Sequence, residues 1–275
     1  MYIQLAVFSE PKAGNAPDEW EDAALAGVAG PPAGLGRLPS HLRYVVADGA
    51  TGGYVSRQWA NQLVTCFAPV NHPARGPRLE PGSMRRWFER MQELWAANPP
   101  PTLDVIDEIK AREDGSFATL LGFDVCGLDG PEPAWRAVAL GDTVLFHVRD
   151  GQLRARFPPL EPDDFSASTA GVHSMPAALD WMSERLLISG GDLSPGDFLF
   201  AATDAMAHWI ARAVMRDEEK TWATLSELVH PAAFSRFVRE QRSAGNPAET
   251  MKNDDVTLMR LRMLADQPSY LLVCL

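Results

Sequence analysis

Phe198-Leu199-Phe200-Ala201-Ala202-Thr203-Asp204 is a short apolar run that ends on an aspartate. It reads as a buried strand, and the residues after it predict a helix from about Ala205 to Met215. Three other stretches repeat the arrangement: Tyr44-Val45-Val46-Ala47-Asp48-Gly49, Ala137-Val138-Ala139-Leu140-Gly141-Asp142 and, with the acids leading, Asp254-Asp255-Val256-Thr257-Leu258-Met259. Buried strands that release aspartates at their ends can gather hard oxygen ligands from remote parts of a chain. Mg²⁺ and Mn²⁺ prefer carboxylate, carbonyl and water oxygens, so such a cluster suits one or two divalent cations and hydrolytic chemistry. Each aspartate also has a local reading, because Asp caps turns and bonds its own backbone where strands end. Asp150 and Asp192 are assigned to turns, the first in a hairpin and the second in Gly190-Gly191-Asp192. The shared context of Asp48, Asp142, Asp204 and Asp254 favours ligands, but composition alone leaves both readings open.

Outward from these runs, residues 2–8 and 42–47 are strand-like, with Gly30-Pro31-Pro32-Ala33-Gly34-Leu35-Gly36 as a loop between them. That loop has no Lys-Ser/Thr ending and so is not a phosphate-cradling loop. Residues 56–67 predict a helix with Trp59, Leu63 and Phe67 on one face. Ser83 to Ala97 predicts another, striped by Trp87, Met91, Leu94 and Trp95 and stopped by Pro99, Pro100 and Pro101. Phe117–Phe123 and Arg136–Leu140 read as successive strands, and Val144–Arg149 with Gln152–Phe157 as a hairpin, since Asp150-Gly151 suits a type I′ turn. Residues 158–175 read as a loop or flap, and with the helix expected at about 176–187 they mark 158–187 as a candidate insertion. A helical stretch at about 221–242, interrupted near Pro231, precedes strands at Val256–Met263 and Tyr270–Val273. Strands joined as hairpins and interleaved with long helices indicate antiparallel sheets with helices on their outer faces, in one domain spanning 1–275.

The 275 residues can bury a substantial core, and 46% apolar with 22% charged residues is an ordinary globular balance rather than a disordered one. A net charge of −11 argues against nucleic acid or an anionic membrane as partner. Cys66, Cys126 and Cys274 are an odd number without a C-x-x-C pair, which argues against a disulfide framework or zinc site. The opening Met1-Tyr2-Ile3-Gln4-Leu5-Ala6-Val7-Phe8 lacks a basic leader, and a cytoplasmic location is expected. A cysteine-nucleophile phosphatase needs Arg six positions after its Cys; His72 and Glu132 stand at those places after Cys66 and Cys126. No G-x-S-x-G elbow and no H-E-x-x-H helix occurs, and the six histidines show no ligand spacing.

Six segments in order resemble the metal-dependent serine/threonine protein phosphatases, the PPM or type 2C family: Glu21-Asp22-Ala23, Asp48-Gly49-Ala50-Thr51-Gly52-Gly53, Gly115-Ser116-Phe117-Ala118, Gly141-Asp142-Thr143 with Val148-Arg149-Asp150-Gly151, Pro195-Gly196-Asp197 through Asp204, and Asp254-Asp255-Val256-Thr257. They run from Glu21 to Met263. The resemblance implies an α+β fold, a four-layer αββα sandwich of two antiparallel sheets flanked by helices. It implies two Mn²⁺ or Mg²⁺ ions bridged by Asp48, with the Gly49 carbonyl, Asp204 and Asp254 as further ligands and Glu21 and Asp22 at the site directly or through water. Asp142 matches a third, weaker metal position, and His208 stands where an acidic ligand of that site is common. Two such cations, about 3.5–4 Å apart, would hold a bridging hydroxide for in-line attack on phosphorus.

The chain departs from the pattern at particular places. Pro17 stands where the family often has a phosphate-holding Arg, leaving Lys12 as a nearby cation; Ala50 replaces a common His, and Ala205 a common Gly. The expectation is hydrolysis of phosphoserine or phosphothreonine in proteins, with a phosphorylated protein as substrate and a serine/threonine kinase as counterpart. The alternatives are a phosphatase-fold module that binds a partner with little or no turnover, and a small-molecule phosphatase.

Overall fold

The computed structural model describes residues 1–16, 19–28, 41–50, 53–68, 76–102, 104–165, 170–247 and 249–265. The Gly30–Gly36 loop, the Tyr270–Val273 strand, His72, Cys274 and the positions of Pro17, Asp18, Thr51 and Gly52 lie outside them.

Two antiparallel sheets carry the fold. The first contains β1 (Tyr2–Glu10), β7 (Val144–Arg149), β8 (Gln152–Phe157), β11 (Phe198–Ala202) and β12 (Val256–Leu264), in the order β1-β12-β11-β7-β8. The second contains β2 (Asp22–Val28), β3 (His41–Asp48), β5 (Leu120–Cys126), β6 (Ala134–Leu140) and β10 (Leu187–Asp192), in the order β10-β6-β5-β3-β2. A separate pair joins β4 (Phe117–Ala118) to β9 (Val172–His173).

Strand alternation sorts the side chains into layers. On β3, Tyr44 and Val46 point into the core between the sheets, where they meet Leu199, Ala201, Met259 and Leu261. Val45 and Ala47 point the other way, onto Trp59, Leu63 and Phe67 of α1 (Ser56–Phe67) and Met84, Trp87 and Phe88 of α2 (Pro81–Ala97). Leu258 and Phe200 likewise face outward onto α5 (Asp204–Arg216), α6 (Glu218–Glu227) and α7 (Pro231–Arg242). Helices, sheet, sheet and helices therefore stack as the expected αββα sandwich. The predicted Trp59–Leu63–Phe67 stripe is fully buried, and burial of each such side chain is worth roughly 1.5–3 kcal/mol. Phe67 lies so close over Gly122 that a Cβ there would sit 2.0 Å from its ring, so only glycine lets α1 seat on β5.

The hairpin forms as expected: Asp150 and Gly151 both have positive φ, 53° and 72°, the type I′ signature. Other expectations are corrected. Gly190-Gly191-Asp192 is no turn but the end of edge strand β10, paired with Arg136, Trp135 and Ala134. Its glycines are there because the backbone runs against Trp135; a Cβ on Gly191 would fall 2.8 Å from the indole nitrogen. The run Phe117–Phe123 breaks at Thr119 into β4 and β5, and the 221–242 stretch divides into α6 and α7, with Pro231 opening α7. The helix expected at 176–187 contracts to α4 (Leu179–Arg185), because β10 begins at Leu187. Besides β9 and β10, β2 and α3 (Val105–Glu113) were unforeseen. Within 158–175, the described part contains a single 3₁₀ turn at Pro162–Asp164 and then β9.

Candidate metal centre

Adjacent ends of the two sheets bring the acids together. Pairing of β2 with β3 puts Asp22 opposite Asp48. Beyond Asp48 the chain is fixed on both sides: the Gly49 amide donates to the Glu21 carbonyl (3.2 Å), the Thr119 amide to the Asp48 carbonyl (2.8 Å), and the Ala50 amide to the Phe117 carbonyl (3.1 Å). Gly49 is required here, since a Cβ would stand 2.8 Å from the Glu21 oxygen and 3.0 Å from the Ser56 backbone. Thr119 Oγ1 also accepts from the Asp48 amide (3.2 Å) and meets Thr143 Oγ1 at 2.6 Å, which ties the β6–β7 turn holding Asp142 to the same corner.

From the other sheet come Asp204, in the first turn of α5 where a carboxylate complements the helix dipole, and Asp254, just before β12. Asp255, beside it, is a staple. Its Oδ1 accepts from the Lys12 amide (2.8 Å) and its Oδ2 from the Glu21 amide (2.7 Å), so the segment entering β2 is pinned to the start of β12. Asp22 is buried between the sheets, where its Oδ2 accepts from Thr203 Oγ1 (3.0 Å) and Thr257 Oγ1 (2.7 Å).

The electrostatics record a crowd of like charges. Burial, chiefly, with Asp255 and Asp204 adding and the two threonine bonds opposing, pushes the Asp22 carboxyl up to about 8. Asp48 is raised well above the usual carboxylate range, first by desolvation and then by Asp22, Asp204, Asp142 and Asp254. A lysine answers two of them. Lys252 Nζ donates to Asp204 Oδ2 and to Asp254 Oδ2, at 2.8 Å each. Burial works against its charge, but the two carboxylates more than offset that and hold its pKa above the ordinary lysine value.

Asp48, Asp22, Asp142, Asp204 and Asp254 thus share one neighbourhood, with the Glu21 and Gly49 backbones between them. Among the described residues, no three His, Cys, Asp or Glu side chains are drawn to metal-holding spacing. Lys252 draws Asp204 and Asp254 together. His208 is engaged elsewhere: its ring stacks on Phe165 at 5.3 Å, and burial lowers its pKa. The donors nevertheless fit a hard divalent cation. They are all oxygens, they carry excess negative charge, and Asp22 Oδ1 is buried with no hydrogen-bond donor. Sequence reasoning missed Lys252 and the bracing role of Thr203; the signal for the first was a lysine two places before an acidic pair.

The fold is an αββα sandwich with an acid-lined corner where the two sheets meet. No family model and no curated protein sequence matches the chain. Solved structures do match in fold. The photosystem II phosphatase PBCP has a TM-score of 0.59 at 14% identity, over 96% of this chain and 100% of that one. The catalytic domain of the serine/threonine protein phosphatase PstP, in complex with two manganese ions, gives 0.58 at 15%, over 95% and 98%. A structure from the bacterial stressosome gives 0.53 at 15%, over 95% and 100%. The fold of this chain is therefore that of the serine/threonine phosphatases its motifs resemble. Among the described residues no helix is long and apolar enough to cross a membrane.

Proposed function

We propose that this protein is a divergent PPM-type phosphatase, one domain that hydrolyses phosphoserine or phosphothreonine in proteins using Mn²⁺ or Mg²⁺. The observation that carries this reading is the meeting of Asp22, Asp48, Asp142, Asp204 and Asp254, from separate strands of both sheets, within electrostatic reach of one another. The manganese-bound PstP relative supports the choice of ion.

In this reading Asp48, the Gly49 carbonyl, Asp204 and Asp254 would hold the ions, with Asp142 at a weaker third position, while His208, stacked on Phe165, takes no part. Bound divalent cations supply Lewis acidity: they activate water at neutral pH and neutralise phosphoryl oxygens. The chain's own residues do the rest. Asp22, locked by Thr203 and Thr257, keeps its second oxygen available to orient water, and the Asp255 staple holds Glu21 against Gly49. Charge neutralisation and positioning need no covalent enzyme intermediate.

Mn²⁺-dependent hydrolysis of an aryl phosphate, lost in Asp48→Asn and Asp204→Asn, tests the reading. Phosphopeptides compared with small phosphates then separate protein from metabolite substrates. The Lys252 bridge favours one rival, a module of the same fold that binds a phosphoprotein or kinase without turnover. Metal-loaded protein that turns over neither aryl phosphate nor phosphopeptide selects that rival.

A further inference from the structure

Lys252 stands out as a cation that does chemistry's place-holding rather than the fold's. Among the described residues its ammonium pairs with the Asp204 and Asp254 carboxylates, and its side chain is half exposed. Arg242, the other cation beside Asp254, is committed to the fold, because its guanidinium donates to the carbonyls of Pro11 and Asp254. Lys12 binds Asp255 through its backbone amide.

An ammonium 2.8 Å from an oxygen of each carboxylate fills the space that a metal ion shared by those oxygens would need, since Mg²⁺–oxygen distances are about 2.0–2.1 Å. The two cannot coexist there. A doubly charged hard cation has the stronger claim on paired carboxylates, while a lysine is a point charge on a flexible stem that leaves without repacking any core. Once released, the half-exposed ammonium stays tethered two residues from Asp254, where it can meet an incoming phosphate dianion.

We propose that Lys252 is an exchangeable cation: it bridges Asp204 and Asp254, would yield them to a divalent ion, and would then grip the phosphoryl oxygens of the substrate. This rests on the metal-centre reading above. In that role Lys252 sets both the affinity of the metal position and the hold on phosphate.

Calorimetric titration with Mn²⁺ in phosphate-free buffer, on wild type, Lys252→Met and Lys252→Arg, reads the first half. Loss of two partly exposed ion pairs should tighten Mn²⁺ binding about tenfold in Lys252→Met, with Lys252→Arg close to wild type. Titration of inorganic phosphate into the manganese-saturated proteins reads the second half, and the Kd should rise about tenfold in Lys252→Met and recover in Lys252→Arg. Melting curves of the three proteins check that each is folded. Unchanged or weaker Mn²⁺ binding in Lys252→Met overturns the exchange, and unchanged phosphate affinity overturns the grip. Absence of any Mn²⁺ binding by wild type is a different result, and it removes the metal-centre reading together with this one.

Discussion

Asp197→Asn should destabilise the protein far more than any surface substitution, and by an amount that depends on pH. Asp197 is fully buried where β11 begins, and its carboxylate is surrounded by donors. Arg149 Nε reaches Oδ1 at 2.8 Å, while Arg149 Nη2, His147 Nε2 and the Ser194 amide reach Oδ2, each at 2.8 Å. Its own carbonyl accepts from the Met263 amide (2.8 Å), so the one residue joins β7, β11 and β12. The asparagine keeps the shape but removes the charge and turns an amide NH₂ toward donors. Leaving a buried partner uncompensated costs about 3–5 kcal/mol, and because Arg149 retains some exposure we expect about 3. In urea, with a slope of about 2–3 kcal/mol/M, the midpoint should fall by about 1 M. The pH dependence has a definite sign. Burial opposes ionisation of Asp197, but the bonds from Arg149, His147 and Ser194 outweigh it, and the folded pKa lies below the unfolded value of about 3.9. The carboxylate's contribution is complete above the unfolded value and is lost as pH falls through the folded one. The gap between wild type and Asp197→Asn should thus be largest at pH 7 and shrink toward pH 3. Asp192→Asn, which removes only the exposed partner of Arg149, should cost under about 1 kcal/mol once solvent screening is allowed for. A midpoint shift in Asp197→Asn no larger than that of Asp192→Asn, or a gap that does not narrow in acid, would refute this account.

Three other outcomes are expected. Millimolar Mn²⁺ should raise the melting temperature of wild type by several degrees, about 2–4 kcal/mol of linkage at saturating metal, and should leave Asp48→Asn unmoved in the same scan. Gly49→Ala should lose about 1–3 kcal/mol in denaturant titrations and most of the Mn²⁺-dependent turnover, because the new methyl collides with the Glu21 carbonyl and the start of α1. Thr257→Val should keep the core packed yet weaken Mn²⁺ binding about tenfold by calorimetry, since Asp22 loses one of two hydroxyls that orient it.

Much of the architecture was legible because strong periodicity coincides with deep burial. The α1 stripe, the β7–β8 hairpin and the apolar runs of β3 and β12 each have side chains that bury well in one geometry. The misses share a different cause. β2 reads Asp-Ala-Ala-Leu-Ala-Gly-Val, small residues of weak strand preference, and is a strand because β3 pairs with it at the sheet edge. α3 buries none of its residues, so it shows no stripe; its one local signal is the Asp104 side chain accepting from the Asp107 amide at 2.9 Å. β10 looked like a turn because glycine serves two purposes, freeing the backbone in a turn and letting it pass close to Trp135 here.

The same ambiguity governs the acids, and it shows why their roles could be suspected but not assigned from sequence. Asp150 and Asp48 both stand at the end of a strand and precede glycine. Asp150 lies in the left-handed region at a hairpin tip, where its value is to its own backbone. Asp48 lies opposite Asp22 with its neighbours on both sides pinned, and its cost is borne by the fold: carboxylates crowded into one corner repel, and nothing in hairpin chemistry repays that. Burial and that crowding raise the Asp48 pKa, and Lys252 pairs with Asp204 and Asp254 rather than with Asp48. Spatial crowding without local benefit therefore sets Asp48 apart from a turn cap such as Asp150, and crowding is a property of strand order, which no single stretch of sequence contains.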